Sequence, residues 1–300
     1  MIDKQTRIKI AVQKSGRLTE HTLELLERCG LKYTRAPDQL IAYGENMPVD
    51  LLFVRDDDIP ALVRDDICDL GFAGRNVIEE KRLEFSANGI SNPYQQVCSL
   101  DYGHCRLCFG YPEDGTLQTV GALQGKRVAT SYPWIVRDYL KQQDVDAEIV
   151  EFSGAVEIAP SLGRADVICD LVSTGTTMTA NKLREGETIL DSECMLIKTP
   201  IDIPDEKVAW VNRLLQRIEG VMQVRESKYI MMHAPKAALP QIKQLLPGAE
   251  SPTVLPLDGT DELVAIHVVC RETVFWETLE SLKEVGASSV LVVPVEKMLA

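Results

Sequence analysis

The sequence lacks the signatures of the common nucleotide-binding folds. Its nearest approach to a Walker motif, Gly121–Arg127, has the wrong spacing and no Ser or Thr after the lysine. Gly71 and Gly74 follow an apolar segment but do not complete a dinucleotide-binding fingerprint. These absences argue against a P-loop ATPase and against a Rossmann dehydrogenase.

Basic residues are also scarce, since 32 Lys and Arg stand against 45 Asp and Glu, for a formal charge of −13. This balance argues against a general nucleic-acid-binding surface but allows a local basic pocket. The sequence shows no apolar signal region near its start and no long apolar span. We therefore expect a cytoplasmic protein with no membrane or nucleic-acid partner.

The chain has eight cysteines but a single CxxC pair, Cys105 and Cys108. No second ligand pair follows at the spacing of a zinc finger. The pair lies in an alternating, strand-like segment, where positions i and i+3 point to opposite faces. The sequence therefore predicts reduced thiols rather than a structural zinc site.

The most informative segment is Asp166–Thr177, which reads as a buried strand, a hydroxyl-rich loop and a helix start. Hydroxyls and backbone N–H groups at a helix N-terminus bind phosphate. Asp170, just before the loop, could hold ribose hydroxyls or magnesium, so the pattern favours phosphoribosyl chemistry. An ordinary turn with a helix cap is the alternative. The predicted phosphate-binding residues are Ser173, Thr174, Gly175, Thr176 and Thr177.

Three hundred residues suggest about two domains. In the first two-thirds, strands alternate with helices, which indicates two α/β lobes with a cleft between them. Residues 98–111 and 188–198 each read as one strand. The tail from Arg225 has the order βαββαβ of a ferredoxin-like module. We predict lobe I at 1–97 with 186–224 returning to it, lobe II at 98–185, and a regulatory domain at 225–300.

Basic residues follow two of the predicted strands. Lys14 and Arg17 come after the first strand, and Arg55 after another, where ligands bind in open α/β sheets. They could neutralise a triphosphate or a pyrophosphate, although exposed basic residues are often only solvated. Glu157 at a helix start and Tyr132 in a strand-to-helix turn could contact the nucleotide, or could serve the helix dipole and packing.

With these segments in view, the chain resembles the ATP phosphoribosyltransferase family in its long form, over essentially its whole length. The blocks that carry the resemblance are Gln13–Leu18, Arg55–Pro60, Cys68–Gly71, Ala129–Pro133, Glu157–Pro160, Asp166–Thr177, Glu226–Pro235 and Leu246–Gly248. Two positions depart from the family pattern: Arg75 stands where a Glu is usual, and Ile158 where a Val is usual.

The resemblance implies a two-lobed core folded like a periplasmic-binding-protein cleft, with a C-terminal ferredoxin-like (ACT-like) domain that senses histidine. It implies transfer of phosphoribose from 5-phosphoribosyl 1-pyrophosphate to N1 of ATP, with magnesium held mainly by substrate phosphates. It also implies a homohexamer in equilibrium with dimers. On this basis Asp170, Arg17 and Lys14 are expected in catalysis, and Arg17, Arg55, Tyr132 and Glu157 at ATP.

Residues at strand ends of the tail could form a histidine site. His233, Ser251 and Thr253 could supply polar contacts, and Ala287, Ser288 and Ser289 could complete the pocket together with a neighbouring subunit. An ordinary strand-end histidine and turn hydroxyls are the alternative. Proteins of two other functional classes share the two-lobed cleft of the predicted core. A secreted solute receptor should carry a signal peptide, and a transcription regulator should carry a helix-turn-helix; neither is evident. A catalytically dead relative should have lost the loop at Asp170, which is intact.

Overall fold

The computed structural model describes residues 7–113, 115, 117–223, 227–246, 252–270 and 276–295. The chain divides into two compact units. The first consists of the chain up to Glu24 together with Leu31–Trp210. The second consists of Leu25–Gly30 together with the chain from Val211 onward. Within the described ranges, no helix combines the length and the apolar character needed to cross a membrane.

The first sheet of the first unit is built around buried parallel strands. β1 (Ile8–Gln13) pairs in parallel with β3 (Val49–Val54) on one side and with β4 (Leu70–Gly74) on the other. Their apolar, largely buried side chains are typical of inner strands. The remaining strands are antiparallel to their neighbours and complete the order β2-β3-β1-β4-β11-β5: they are β2 (Ile41–Tyr43), β5 (Gln95–Ser99) and β11 (Cys194–Lys198).

The second sheet carries the informative segment at its centre. β9 (Val167–Val172) lies parallel to β7 (Arg127–Thr130) and antiparallel to β6 (Cys105–Pro112). β8 (Glu148–Glu151) and β10 (Leu183–Ser192) form the two edges, in the order β10-β6-β9-β7-β8. The predicted buried strand before the hydroxyl loop is thus observed.

Helices connect the strands of this unit, and those that come soon after β4, β7 and β9 have their first turns near the carboxyl ends of these strands. The helices are α1 (Thr19–Arg28), α2 (Ile59–Arg64), α3 (Arg75–Ala87), α4 (Pro133–Gln142), α5 (Thr176–Ala180) and α6 (Asp205–Gln223). α1 and α6 each contribute residues to both units.

Two segments predicted as single strands are each divided between the two sheets. Residues 98–111 belong partly to β5 and partly to β6, and the chain turns between them at Asp101 and Gly103, whose φ angles are 53° and 72°. Residues 188–198 belong to β10 and β11, which separate at Glu193. The hydrophobic pattern predicts strands in all four halves but does not reveal which sheet each half joins. The domain limits at 97, 185 and 224 stay a prediction.

The second unit contains the predicted βαββαβ order. Its elements are β12 (Lys228–Pro235), α7 (Leu239–Leu245), β13 (Thr253–Leu257), β14 (Thr260–Cys270), α8 (Trp276–Glu284) and β15 (Ser288–Pro294). The strands are antiparallel in the order β13-β14-β12-β15, and Ile230, Met232, Ile266 and Leu282 lie in the core. The predicted fold class, an α/β core followed by a ferredoxin-like module, is confirmed.

Candidate functional site

The hydroxyl-rich loop connects the end of β9 to the start of α5. Gly175, immediately before α5, has φ +81°, a left-handed conformation that glycine adopts without strain. The hydroxyls of Thr174 and Thr176 lie 3.0 Å apart across this turn. The first N–H groups of a helix have no acceptor within the helix. Together these groups form a compact set of donors suited to a phosphate.

A cleft of about 340 Å³ opens along this loop. Its walls are formed by Arg17, Glu157, Ile168, Asp170, Leu171, Val172, Ser173, Thr174, Gly175, Thr176, Thr177 and Met178. The fold therefore places Arg17 and Glu157, which are distant from the loop in sequence, beside the predicted phosphate-binding residues. Lys14, Arg55 and Tyr132 are not among the residues that line this cleft.

Asp170 is a half-buried carboxylate at the carboxyl end of β9. Burial raises its pKa, the N–H of Leu171 at 2.8 Å from Oδ1 lowers it, and the charge of Glu157 raises it again. The net pKa lies above the usual value for an aspartate. Two carboxylates that repel each other across one cleft favour a cation or a positively charged ribose between them.

Arg17 connects the segment after β1 with the phosphate loop. Its Nη1 donates to Oγ of Ser173 at 3.2 Å, and its Nη2 donates to Sγ of Cys105 at 3.1 Å. The guanidinium is exposed, so it remains accessible to a ligand in the cleft. A planar guanidinium in this place can bind a phosphate with two parallel hydrogen bonds.

An ion pair that the sequence did not predict contacts the backbone of the loop. Arg106 donates through Nε and Nη2 to the carboxylate of Glu185, and its Nη1 lies 3.3 Å from the carbonyl oxygen of Ser173. The hydrogen bond from Arg106 lowers the pKa of Glu185. Arg106 and Glu185 are 79 residues apart. No local pattern relates them, so sequence reasoning missed both.

A second cleft, of about 350 Å³, adjoins the first, since Ser173 lines both. Its lining is Arg75, His104, Cys105, Arg106, Ser173, Asp191, Ser192 and Glu193. Arg75, the departure from the family pattern, is therefore exposed in this cleft at the start of α3. Beside it, the ligand atoms of Asp101, His104 and Glu193 lie within 4.8 Å of one another.

The remaining predicted nucleotide contacts follow strands but do not line the first cleft. Lys14 and Arg55 are exposed, directly after β1 and β3. Tyr132 precedes α4, and its hydroxyl accepts a hydrogen bond from Nδ2 of Asn76 at 3.0 Å. Burial raises the pKa of Tyr132, the hydrogen bond with Asn76 lowers it, and the charges of Asp170, Asp56 and Asp57 raise it.

The predicted histidine-binding residues are distributed across the sheet of the second unit. His233 on β12 is half-buried and pairs directly with Ser288 on β15. Thr253 lies on β13, and strands β14 and β12 lie between β13 and β15. Thr253 and Ser288 of the same chain are therefore not neighbours. Ala287 is buried before β15, and Ser289 has φ +52° at a bulge. Ser251 lies outside the described residues.

Comparisons with known proteins agree with this architecture. A family model described as ATP phosphoribosyltransferase matches residues 55–220, and one described as the HisG C-terminal domain matches residues 225–297. Among solved structures, the ATP phosphoribosyl transferase (HisG:HisZ) complex from Thermotoga maritima is 25% identical with a TM-score of 0.58, covering 71% of this chain and 98% of that chain.

Solute-binding proteins are similar at lower identity. The alkanesulfonate-binding protein SsuA from Xanthomonas axonopodis pv. citri is 14% identical with a TM-score of 0.46, covering 79% of this chain and 77% of its own. A putative L-cystine ABC transporter from Listeria monocytogenes is 14% identical with a TM-score of 0.45, covering 72% and 92%.

Proposed function

The chain belongs to the ATP phosphoribosyltransferase family, in its long form, a family of histidine-biosynthesis transferases, and we propose that it joins ATP to 5-phosphoribosyl 1-pyrophosphate. In this reaction the lone pair of adenine N1 forms a bond to C1 of the ribose. The bond between C1 and the pyrophosphate oxygen breaks, and pyrophosphate leaves with its electron pair. The products are phosphoribosyl-ATP and pyrophosphate.

One observation carries this proposal: the hydroxyl loop, Asp170 and Arg17 line the same cleft. The loop from Ser173 to Thr177 would bind the 5′-phosphate, and Asp170 the ribose hydroxyls. As pyrophosphate departs, the ribose becomes electron-poor, and a nearby carboxylate stabilises that positive charge. Arg17, with Lys14, would bind the phosphates of the pyrophosphate or of ATP. Adenine N1 carries its own lone pair, so no general base is required.

Magnesium fits the donor set of the cleft. Mg²⁺ binds oxygen and usually combines one or two carboxylates with substrate phosphates and water. Asp170 and Glu157 offer carboxylates on one cleft, so they are the residues that would hold it. When bound, Mg²⁺ would neutralise the charge that develops on pyrophosphate. The group of Asp101, His104 and Glu193 includes a nitrogen ligand, which suits Mg²⁺ less well.

Release of pyrophosphate tests the proposed reaction. The purified chain is mixed with ATP, 5-phosphoribosyl 1-pyrophosphate and magnesium, and pyrophosphate is measured together with the nucleotide product. We expect release that requires both substrates. Release without ATP would indicate hydrolysis of the sugar pyrophosphate, and no release under any condition would reject the transferase proposal.

The pKa of Asp170 leads to a prediction about pH. Because the charge of Glu157 raises that pKa, Glu157→Gln should lower it, and Asp170 should stay ionised to lower pH. We therefore expect the acid limb of the kcat–pH profile to move to lower pH, whatever the change in maximal rate. Glu148→Gln, at an exposed position on β8, is the matched control and should leave the limb in place. An unmoved limb in Glu157→Gln would contradict the assignment of Asp170.

The second unit is proposed to bind L-histidine as a feedback inhibitor, in a cytoplasmic homo-oligomer that ranges from dimer to hexamer. The support is the matched C-terminal family domain and the ferredoxin-like module that carries His233. Allosteric coupling is typically about 1–3 kcal/mol.

Inhibition by histidine should therefore depend on His233. We expect His233→Ala to raise the histidine concentration for half inhibition at least about fivefold, the lower end of typical allosteric coupling. The uninhibited rate should stay close to that of the unmodified protein. His21→Ala, an exposed histidine of the first unit, is the control. Unchanged inhibition in His233→Ala would remove this residue from the proposed histidine site.

A further inference from the structure

Two polar side chains of α3 are buried on one face of that helix. Asn76 is 4% exposed and Glu80 is 8% exposed. They are four residues apart, so they lie next to each other on the helix surface. Neither side chain is part of the phosphate loop, and neither lines the cleft beside that loop. Because burial of a carboxylate or an amide is unfavourable without hydrogen-bond partners, their contacts indicate what they do.

Glu80 caps the start of α4. Its Oε1 accepts a hydrogen bond from the N–H of Trp134, and its Oε2 accepts one from the N–H of Ile135, both at 2.9 Å. Tyr132, at the N-cap position of α4, makes no side-chain cap of its own. A carboxylate at a helix N-terminus is favoured by the helix dipole as well as by these bonds. The cap of α4 is therefore supplied by α3.

Asn76 connects the same helix start to the end of β10. Its Nδ2 donates to the hydroxyl of Tyr132 at 3.0 Å, and its Oδ1 accepts from the hydroxyl of Ser192 at 2.8 Å. The N–H of Asn76 in turn donates to Oγ of Ser192 at 3.1 Å. α3 follows β4 of the first sheet, whereas α4 follows β7 of the second sheet and β10 is an edge strand of that second sheet. These bonds thus hold elements of the two sheets together.

The residue held in this way stands beside the proposed active site. Tyr132 follows β7, which is the neighbour of β9 in the second sheet. Its phenol is near enough to Asp170 and to Asp56 for their charges to raise its pKa, in addition to the effect of burial. Thr130 at the end of β7 pairs with Cys169, the residue before Asp170, so Tyr132 lies just beyond the strand that flanks Asp170. Its hydroxyl is held by Asn76 of α3.

We propose that Glu80 and Asn76 are positioning residues that hold Tyr132 and the start of α4 in place, and thereby set the affinity for the adenine of ATP. This inference rests on the proposed function, in which the two substrates meet at Asp170. Glu80 and Asn76 do not touch the substrates. They act through Tyr132, whose ring contacts the base while the hydroxyl loop binds phosphoribose independently.

Glu80→Gln is the first test, because it keeps the shape of the side chain but replaces one acceptor oxygen with an NH₂ donor. One of the two N–H groups of α4 then loses its acceptor. We expect calorimetry to show the Kd for ATP rising about tenfold, as for loss of a hydrogen bond to a charged group. The Kd for 5-phosphoribosyl 1-pyrophosphate should change less than about twofold, because its loop keeps all its contacts.

Glu84→Gln is the matched control on the same helix. Glu84 pairs with Lys81 near the surface, with a side chain 33% exposed. The same chemical change there should leave both affinities unaltered. Thermal unfolding of each variant is measured alongside, because a purely structural role would lower the melting temperature and leave the affinity for ATP as it was.

A double-mutant cycle tests whether Glu80 acts through Tyr132. On a Tyr132→Ala background, Glu80→Gln should cause no further loss of ATP affinity, because the positioned ring is gone. Tyr132→Phe removes only the hydroxyl that Asn76 binds, so it gives a smaller loss and serves if Glu80→Gln does not fold.

The outcomes separate this inference from the proposed function. Additive effects in the cycle, equal weakening of both substrates, or a lower melting temperature with unchanged ATP affinity would each overturn the positioning role. If the unmodified protein bound neither ATP nor 5-phosphoribosyl 1-pyrophosphate, the proposed function itself would fail, and this inference with it.

Discussion

Asp170→Asn should lower kcat by about 10- to 150-fold while the protein remains folded, as expected when about 1.5–3 kcal/mol of charge-assisted hydrogen bonding is lost. The substitution preserves shape, and an amide oxygen can still accept the hydrogen bond from the N–H of Leu171. What is lost is the negative charge beside the ribose. The effect should therefore appear in turnover rather than in stability.

Asp166→Asn is the control for this prediction, because Asp166 stands near the other end of β9. Its Oδ2 accepts from the N–H of Arg127 at 2.8 Å, and its Oδ1 accepts from Nη2 of Arg127 at 3.0 Å. This carboxylate has a structural role, so Asp166→Asn should lower the melting temperature and leave kcat nearly unchanged. Steady-state kinetics and thermal unfolding of both variants decide the matter. Equal kcat in Asp170→Asn and the unmodified protein would contradict the catalytic assignment.

Arg17→Ala should weaken binding of 5-phosphoribosyl 1-pyrophosphate or ATP by about 10- to 150-fold, the range expected for lost hydrogen bonds to a charged phosphate. Its guanidinium donates hydrogen bonds to Ser173 and Cys105, and Arg17 lines the cleft beside the hydroxyl loop. Arg17→Lys should recover part of the affinity, because lysine restores the charge but not the planar pair of donors.

Calorimetric titration with each substrate in turn measures this effect. Arg82→Ala removes an arginine that pairs with Glu79 on α3 and has a side chain 45% exposed, so it should leave both affinities unchanged. Unaltered affinity of Arg17→Ala for both substrates would exclude Arg17 from the site.

The local features of the molecule are the ones that the sequence predicts best. The strand, hydroxyl loop and helix from Asp166 to Ala180 are contiguous, so their apolar run and their turn residues are visible in one segment. The βαββαβ order of the second unit is predictable for the same reason, because each strand and helix has its own period.

What sequence does not predict depends on long-range pairing. Glu80 reaches the start of α4 from 54 and 55 residues away, and Arg106 reaches Glu185 from 79 residues away. The division of residues 98–111 between the two sheets likewise depends on which neighbours each half finds. Buried polar pairs of this kind leave no periodic pattern, and only the folded chain reveals them.

The proposed reaction depends on binding of phosphoribose in the cleft bounded by Asp170 and the hydroxyl loop. The most direct test is a crystal structure of the protein with 5-phosphoribosyl 1-pyrophosphate and magnesium. We expect the 5′-phosphate within hydrogen-bond distance of the loop from Ser173 to Thr177, and the ribose hydroxyls at Asp170. A 5′-phosphate bound instead in the second cleft, between Arg75 and Arg106, would contradict it.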